Sequence, residues 1–184
     1  MIALYIDCDG TILNTITPLE EGANANGVDL KNRNKAKRFL SSFDWETLLN
    51  NAEVLNDGIN SINRIINFGL YMPAILTHVN SDKEAWLKEK YFHKYIPNIK
   101  IYVVSADIPK ADYIPAVKGK ILVDDYKNNL YYWQEKGGLA VKFDMAQKPN
   151  KDLIVINNLD YFITNYEETK SKIKTLIKKK NDKY

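Results

Sequence analysis

Two carboxylates stand two residues apart in Asp7-Cys8-Asp9-Gly10-Thr11, directly after the apolar run Ile2-Ala3-Leu4-Tyr5-Ile6. Side chains alternate along a strand, so Asp7 and Asp9 leave the chain on the same side. Gly10 then lets the backbone turn sharply. Two like charges this close repel, and a site resolves that with a cation or by keeping one group protonated. A polar turn with an aspartate helix cap is the competing reading of the short motif, so the partners further along the chain have to decide. Thr77 follows Ala74-Ile75-Leu76, Lys110 precedes Ile121-Leu122-Val123, and Asp124 and Asp125 end that last run. In open parallel sheets, ligand sites gather beyond the carboxyl ends of the strands. Carboxylates, a hydroxyl and an ammonium on one such edge suit phosphoryl transfer. They supply a carboxylate nucleophile, oxygen ligands for a hard divalent cation and donors for phosphate oxygens.

The elements that must position these groups read as an α/β fold. Short apolar runs alternate with helix-like stretches, which predicts a Rossmann-like parallel sheet flanked by helices. Strands are expected at Ile2 to Ile6, Met72 to Leu76, Ile101 to Val104, Ile121 to Val123, Leu139 to Phe143 and Leu153 to Ile156. Helices are expected over Asp57 to Phe68, where Ile59, Ile62, Ile65 and Ile66 recur at helical spacing, and over Asn80 to Tyr95 and Asn128 to Lys136. Gly69 and Gly137-Gly138 are placed to end two of them. Between the Asp7 turn and Asp57 lie more than forty residues without a convincing strand, too long for an ordinary connection. Its first part, Pro18 to Asn34, is rich in Gly, Asn and Glu. Its second, Lys35 to Leu55, looks helical and carries Phe39, Phe43, Trp45, Leu48 and Leu49. The division expected is a core of residues 1–14 and 57–184 and a small helical cap over 15–56.

Composition narrows the class. At 184 residues, 45% hydrophobic and 27% charged, the chain is long enough to bury a core as one ordinary domain. No apolar run approaches the ~20 residues of a membrane span, and Met1 to Gly10 reaches acidic residues too soon for a signal peptide. The lone Cys8 excludes an internal disulfide and a cysteine metal cage, and it suits a cytoplasmic protein. Lys170 to Tyr184 holds seven lysines and one aspartate, a local charge of +6 that leaves −3 for the rest of a +3 chain. That tail could touch nucleic acid. With Ile173, Leu176 and Ile177 on one face it reads instead as a solvated amphipathic helix.

The order DCDGT, ILT, Lys and ILVDD resembles the four motifs of the haloacid dehalogenase (HAD) superfamily of phosphohydrolases, spanning Asp7 to Asp125. More narrowly, VDDYKNNLYYWQEKGGLAVKF resembles the stretch after the last motif in the 5'(3')-deoxyribonucleotidase branch. The resemblance implies that Asp7 attacks phosphorus and becomes an aspartyl phosphate, while Asp9 protonates the leaving oxygen and then activates water. It implies Mg2+ held by Asp7, the main-chain carbonyl of Asp9 and Asp124, with Asp125 in support. Thr77 and a lysine would face phosphate. Lys110 matches the family pattern, whereas Lys118 and Lys120 read as turn residues before the acidic strand. The implied substrate is a small phosphomonoester, a nucleotide in the narrower reading and a sugar phosphate in the broader one. In the nucleotidase branch cap aromatics stack on the base, which makes Phe43 and Trp45 candidates for specificity. A packed cap core explains them as well.

The remaining candidates carry competing structural readings. His78 could contact phosphate or serve only its loop. Asn80 reads as a helix cap. The Cys8 side chain points away from both aspartates, but its amide and the Gly10 turn could form an anion nest for phosphate. Thr11 reads as a cap of the turn, and Tyr132 and Trp133 as core. Dehalogenation does not need the proton donor that Asp9 supplies. A receiver-type phospho-acceptor domain uses the same residue types, but it resembles an acidic pair first, then the acceptor aspartate, Thr/Ser and Lys. This chain runs Asp-x-Asp, Thr, Lys, Asp-Asp. A silent binding protein is disfavoured because no motif position is substituted.

Overall fold

The computed structural model describes residues 1–178. The chain begins with β1 (Ile2–Ile6), followed by three helices, α1 (Ile16–Ala25), α2 (Arg33–Ser42) and α3 (Trp45–Asn51). Next come α4 (Gly58–Phe68), β2 (Tyr71–Val79), α5 (Asp82–Tyr95), β3 (Lys100–Ser105) and the one-turn α6 (Lys110–Tyr113). The second half holds β4 (Ile121–Asp124), α7 (Lys127–Glu135), β5 (Leu139–Phe143), β6 (Ile154–Ile156), α8 (Tyr161–Thr164) and α9 (Tyr166–Lys178). The six strands form one parallel sheet in the order β3-β2-β1-β4-β5-β6. All six expected strands are present, and the α/β architecture is as anticipated. Because β1 lies between β2 and β4, the strand order reverses beside it, and the crevice beyond its carboxyl end is where such sheets bind ligands.

Alternation within the strands divides the core between the two faces of the sheet. Leu4, Ile6, Ile75, Ile121, Val123 and Val141 face one layer, with Ile59, Ile62 and Ile65 of α4, Phe162 of α8 and Ile173 of α9. Tyr5, Leu76, Val104, Leu122 and Ala140 face the other, with Ala111, Leu130 and Trp133. Trp133 is therefore core, as its position suggested. Gly119 and α9 also meet, since the Ile177 side chain lies against Gly119. The basic tail forms helix to Lys178; its remainder lies outside the described residues. Among the described residues no helix is long and apolar enough to cross a membrane.

The long interval after β1 is mostly helical, as expected, and the Gly-, Asn- and Glu-rich first part contributes α1 and a non-helical link over 26–32. Within α1 only Leu19 and Ala23 are buried, a single i, i+4 pair, so its periodic signal is weak. The stretch from Lys35 onward divides into α2 and α3 because Phe43 takes an extended conformation and Asp44 caps the new helix, accepting from the Thr47 amide. Leu19, Trp45, Leu48 and Leu49 join the same apolar cluster as Leu4 and Ile6. These helices thus pack onto the sheet layer itself. Two further boundaries move. Thr77 lies inside β2 rather than beyond it, and Ser81, not Asn80, caps α5 by accepting from the Glu84 amide.

Gly138 begins the approach to β5 where the Trp133 indole crosses the chain and donates from Nε1 to the Lys120 carbonyl at 3.2 Å. A Cβ at residue 138 would overlap that ring. Gly138→Ala should therefore destabilise the fold by about 1–3 kcal/mol, through the strain of overpacking. Urea denaturation followed by tryptophan fluorescence measures it, and an unchanged midpoint would contradict this packing.

Candidate active site

The Asp7 amide still donates to the Val123 carbonyl at 2.9 Å, so β1 and β4 are joined up to the point where their acidic residues begin. The chain then turns: the amides of Ile12 and Leu13 donate to the Cys8 carbonyl at 2.9 and 3.0 Å, and the Gly10 amide to Leu13 at 2.8 Å. Gly10 has φ +71°, and a Cβ there would lie 2.5 Å from Asp125 Oδ2. Its role is thus conformational and steric, and its amide is committed inside the turn rather than offered to phosphate. Cys8 packs its side chain into the core, where burial pushes the thiol pKa well up. The Thr11 hydroxyl is buried without a hydrogen-bond partner, so it does not cap the turn.

Asp7, Asp124 and Asp125 each bring a carboxylate oxygen within 4.8 Å of the others. Lys110 enters between them: Nζ lies 2.6 Å from Asp7 Oδ1 and 2.7 Å from Asp124 Oδ2. Asp7 Oδ1 is thus paired directly with the Lys110 charge. Asp124 is otherwise satisfied, accepting from the Tyr126 amide at 2.8 Å and from Asn129 Nδ2 at 2.9 Å. Burial raises the Asp7 pKa well above the ordinary range, and the Lys110 charge does not offset it against Asp124, Asp9 and Asp125. Asp125 is pushed up to about 7 by burial and then by the neighbouring Asp124 charge. Three carboxyl groups this close together, with one ammonium among them, fit a hard divalent cation. Asp7, Asp124 and Asp125 are the side chains able to hold it. Lys110 keeps its proton, because the two aspartate charges more than offset the burial that alone would lower its pKa.

Asp9 is turned to a second set of groups. Its Oδ1 accepts from Thr15 Oγ1 at 2.8 Å, and its Oδ2 from Thr77 Oγ1 at 3.2 Å and Lys88 Nζ at 2.6 Å. Burial would raise its pKa, but Lys88 and the Thr15 hydrogen bond leave it lowered. The two aspartates of the motif are therefore held in opposite states, Asp7 resisting ionisation and Asp9 favouring it.

The structure brings Asp7, Asp9, Thr77, Lys110, Asp124 and Asp125 together and moves other candidates away. His78 alternates to the other side of β2 from Thr77, where its Nε2 donates to the Ile108 carbonyl at 3.0 Å. It supports the loop leading to Lys110. Burial and the Lys110 charge lower its pKa. Asn80 donates its backbone amide to Glu84 Oε2 at 2.8 Å, one residue before the cap. Lys120 reaches the Pro115 carbonyl and Lys118 lies beside Gly137, both at the start of β4, as turn residues should. Trp45 is only 2% exposed, with Nε1 donating to the Leu40 carbonyl at 2.8 Å and the Lys88 ammonium 4.9 Å over its ring. It cannot stack on a ligand where it stands. Phe43 is half-buried between Phe39 and Trp45.

Sequence reasoning missed Thr15, Glu84, Lys88 and Asn129. Of these Glu84 and Lys88 left a trace: they share the buried stripe of α5 with Phe92, and two charges on an apolar stripe are anomalous. Thr15 stands at the cap position of α1, yet its hydroxyl serves Asp9 and caps nothing.

No protein-family model matches this sequence, and no curated protein does. Solved structures match its fold. A haloacid dehalogenase-like family hydrolase from Xanthomonas campestris superposes with a TM-score of 0.65 at 12% identity, over 95% of this chain and 94% of that one. A HAD phosphatase from Thermococcus onnurineus gives 0.58 at 18%, over 90% and 98%. A putative HAD-hydrolase from Bacillus subtilis bound to magnesium gives 0.57 at 14%, over 89% and 98%. The fold is the one these hydrolases share.

A cation entering this site must displace the protons that Asp7 and Asp125 favour. Mg2+ affinity should accordingly weaken as pH falls through about 7, where Asp125 takes up its proton. Calorimetric titration at pH 6 and pH 8 tests this. In Asp125→Asn the pH dependence should flatten, together with the loss of much of the affinity.

Proposed function

We propose that this chain is a HAD-type, Mg2+-dependent phosphomonoester hydrolase working through an aspartyl phosphate. The observation that carries the reading is the single cluster of Asp7, Asp9, Lys110, Asp124 and Asp125 at the carboxyl edge of β1 and β4. Asp7 attacks phosphorus as the bond to the leaving oxygen breaks, and Asp9 supplies the proton to that oxygen. In the second half Asp9 takes a proton from water, water attacks the aspartyl phosphate, and Asp7 is regenerated. Lys110 offsets charge on the phosphate oxygens and on Asp7. Asp7, Asp124 and Asp125 would hold the cation, which would neutralise the surplus carboxylate charge and supply Lewis-acid polarisation of phosphate. Cys8 lies in the turn that faces the phosphate, and Thr77 fixes Asp9.

The narrower reading is a 5'-nucleotidase on (deoxy)nucleoside monophosphates, acting in the cytoplasm. It rests on the likeness of Val123 to Phe143 to the deoxyribonucleotidase branch. Residues 15–56 act as the cap, with Phe43 as the aromatic able to meet a base. The burial of Trp45 favours giving equal standing to a smaller phosphomonoester such as a sugar phosphate.

The purified protein should hydrolyse p-nitrophenyl phosphate with Mg2+, lose activity in EDTA and regain it on Mg2+ addition. Asp7→Asn should reduce kcat by on the order of 10³-fold or more while retaining its circular dichroism. Turnover surviving in this variant would refute the nucleophile. Rates across nucleoside monophosphates and sugar phosphates then decide the substrate class, and equal rates on both would sink the nucleotidase reading.

A further inference from the structure

The most heavily committed side chain outside the expected set is Lys88. It projects from the middle of α5 with no exposed surface. Its Nζ lies 2.6 Å from Asp9 Oδ2, 2.8 Å from Glu84 Oε1, 3.0 Å from the His78 carbonyl and 3.2 Å from Thr77 Oγ1. Four acceptors surround three N–H donors, so the ammonium has no hydrogen bond left for a ligand. The Trp45 ring covers it at 4.9 Å. Stability is a poor explanation for this arrangement. A buried ion pair is rarely better than a well-packed apolar residue, and the neighbouring buried positions Leu87 and Phe92 are apolar.

What Lys88 does do is occupy one oxygen of Asp9. A carboxylate offers about four lone-pair sites. On Oδ2 both are taken, by Lys88 and Thr77, whereas Oδ1 receives Thr15 alone. The open lone pair is therefore on Oδ1. We propose that Lys88 is a positioning residue that clamps Asp9 through Oδ2 and so leaves Oδ1 as the oxygen that exchanges a proton with the leaving group and with water, with Glu84 and Trp45 holding the ammonium in place. The inference rests on the phosphatase reading. In the first half-reaction the bond from Asp7 to phosphorus forms, the bond from phosphorus to the leaving oxygen breaks, and the Oδ1 proton passes to that oxygen. Asp9 is left as the carboxylate paired with Lys88. In the second, a water proton returns to Oδ1 as the water oxygen bonds to phosphorus and Asp7 departs. Because Trp45 comes from α3, the packing of the three-helix segment is also coupled to Asp9.

Leaving-group dependence separates this role from a merely structural one. A p-nitrophenolate departs with little protonation, whereas an alkyl oxygen needs it. Wild type, Lys88→Met and Glu84→Gln should be assayed with Mg2+ on p-nitrophenyl phosphate and on an alkyl phosphomonoester, either glycerol 2-phosphate or a nucleoside 5'-monophosphate. Lys88→Met should lower kcat on the alkyl ester by on the order of 10²-fold and on p-nitrophenyl phosphate by less than about tenfold, with KM little changed. Glu84→Gln should show the same selectivity, weaker. An equal loss on both substrates, or none, overturns the role of Lys88. If Lys88→Met does not fold, a non-selective Glu84→Gln overturns it in the same way. A wild type inactive on both esters overturns the phosphatase reading itself.

Discussion

Two buried ammonium groups divide the acidic residues of the site between them, and the rest of the structure depends on that division. Lys110 holds Asp7 and Asp124, and Lys88 holds Asp9 and Glu84. Neither lysine could be buried alone, because desolvation would strip its charge; the carboxylates keep both protonated. With Asp125 the acidic groups outnumber the lysines, and the surplus falls on Asp7, Asp125 and Glu84, whose pKa values rise. Each half thus holds more carboxylates than ammonium groups, and the excess is greater around Asp7, where a proton or a cation has to make it up. A cation in that half would free Asp7 to ionise, as a nucleophile must, while Asp9, favoured as a carboxylate, is set for the half-reaction in which it takes a proton from water.

The sheet makes the division possible. Parallel strands β1, β2 and β4 end side by side, so Asp7, Thr77 and Asp124 reach the same edge from three distant parts of the chain. The turn after β1 brings Asp9 round toward α5, and Gly10 gives Asp125 the room to lie against it. His78 and Asn129 work one step removed, the first by bonding the loop that carries Lys110 and the second by orienting Asp124.

The three helices after β1 contribute more than a cover. Their apolar residues are continuous with the sheet layer, and Thr15 and Trp45 reach the groups around Asp9. At the far side Arg33 and Lys37 of α2 both pair with Asp107, three residues before Lys110, and Ser41 bonds the Asn80 carbonyl. The segment is therefore fastened to both halves of the site, to the Lys110 loop through α2 and to the Lys88 helix through α3.

Local chemistry made much of this legible in one dimension. The strands announce themselves as short apolar runs, and the order Asp-x-Asp, Thr, Lys, Asp-Asp requires no coordinates to read, because each group sits at a strand end or just before one. Periodicity likewise marks α4, whose isoleucines recur on one stripe. It fails for α1, which buries too few residues to leave a pattern, and misses the break between α2 and α3, which a single extended residue makes. Sequence also left open where Trp45 and His78 point, since alternation along β2 and packing against α5 decide that. Above all, nothing in the chain order relates Lys88 to Asp9, seventy-nine residues away. A lysine in a helix is ordinarily solvated, and only the closing of α5 against the end of β1 removes the water and leaves Asp9 as its partner.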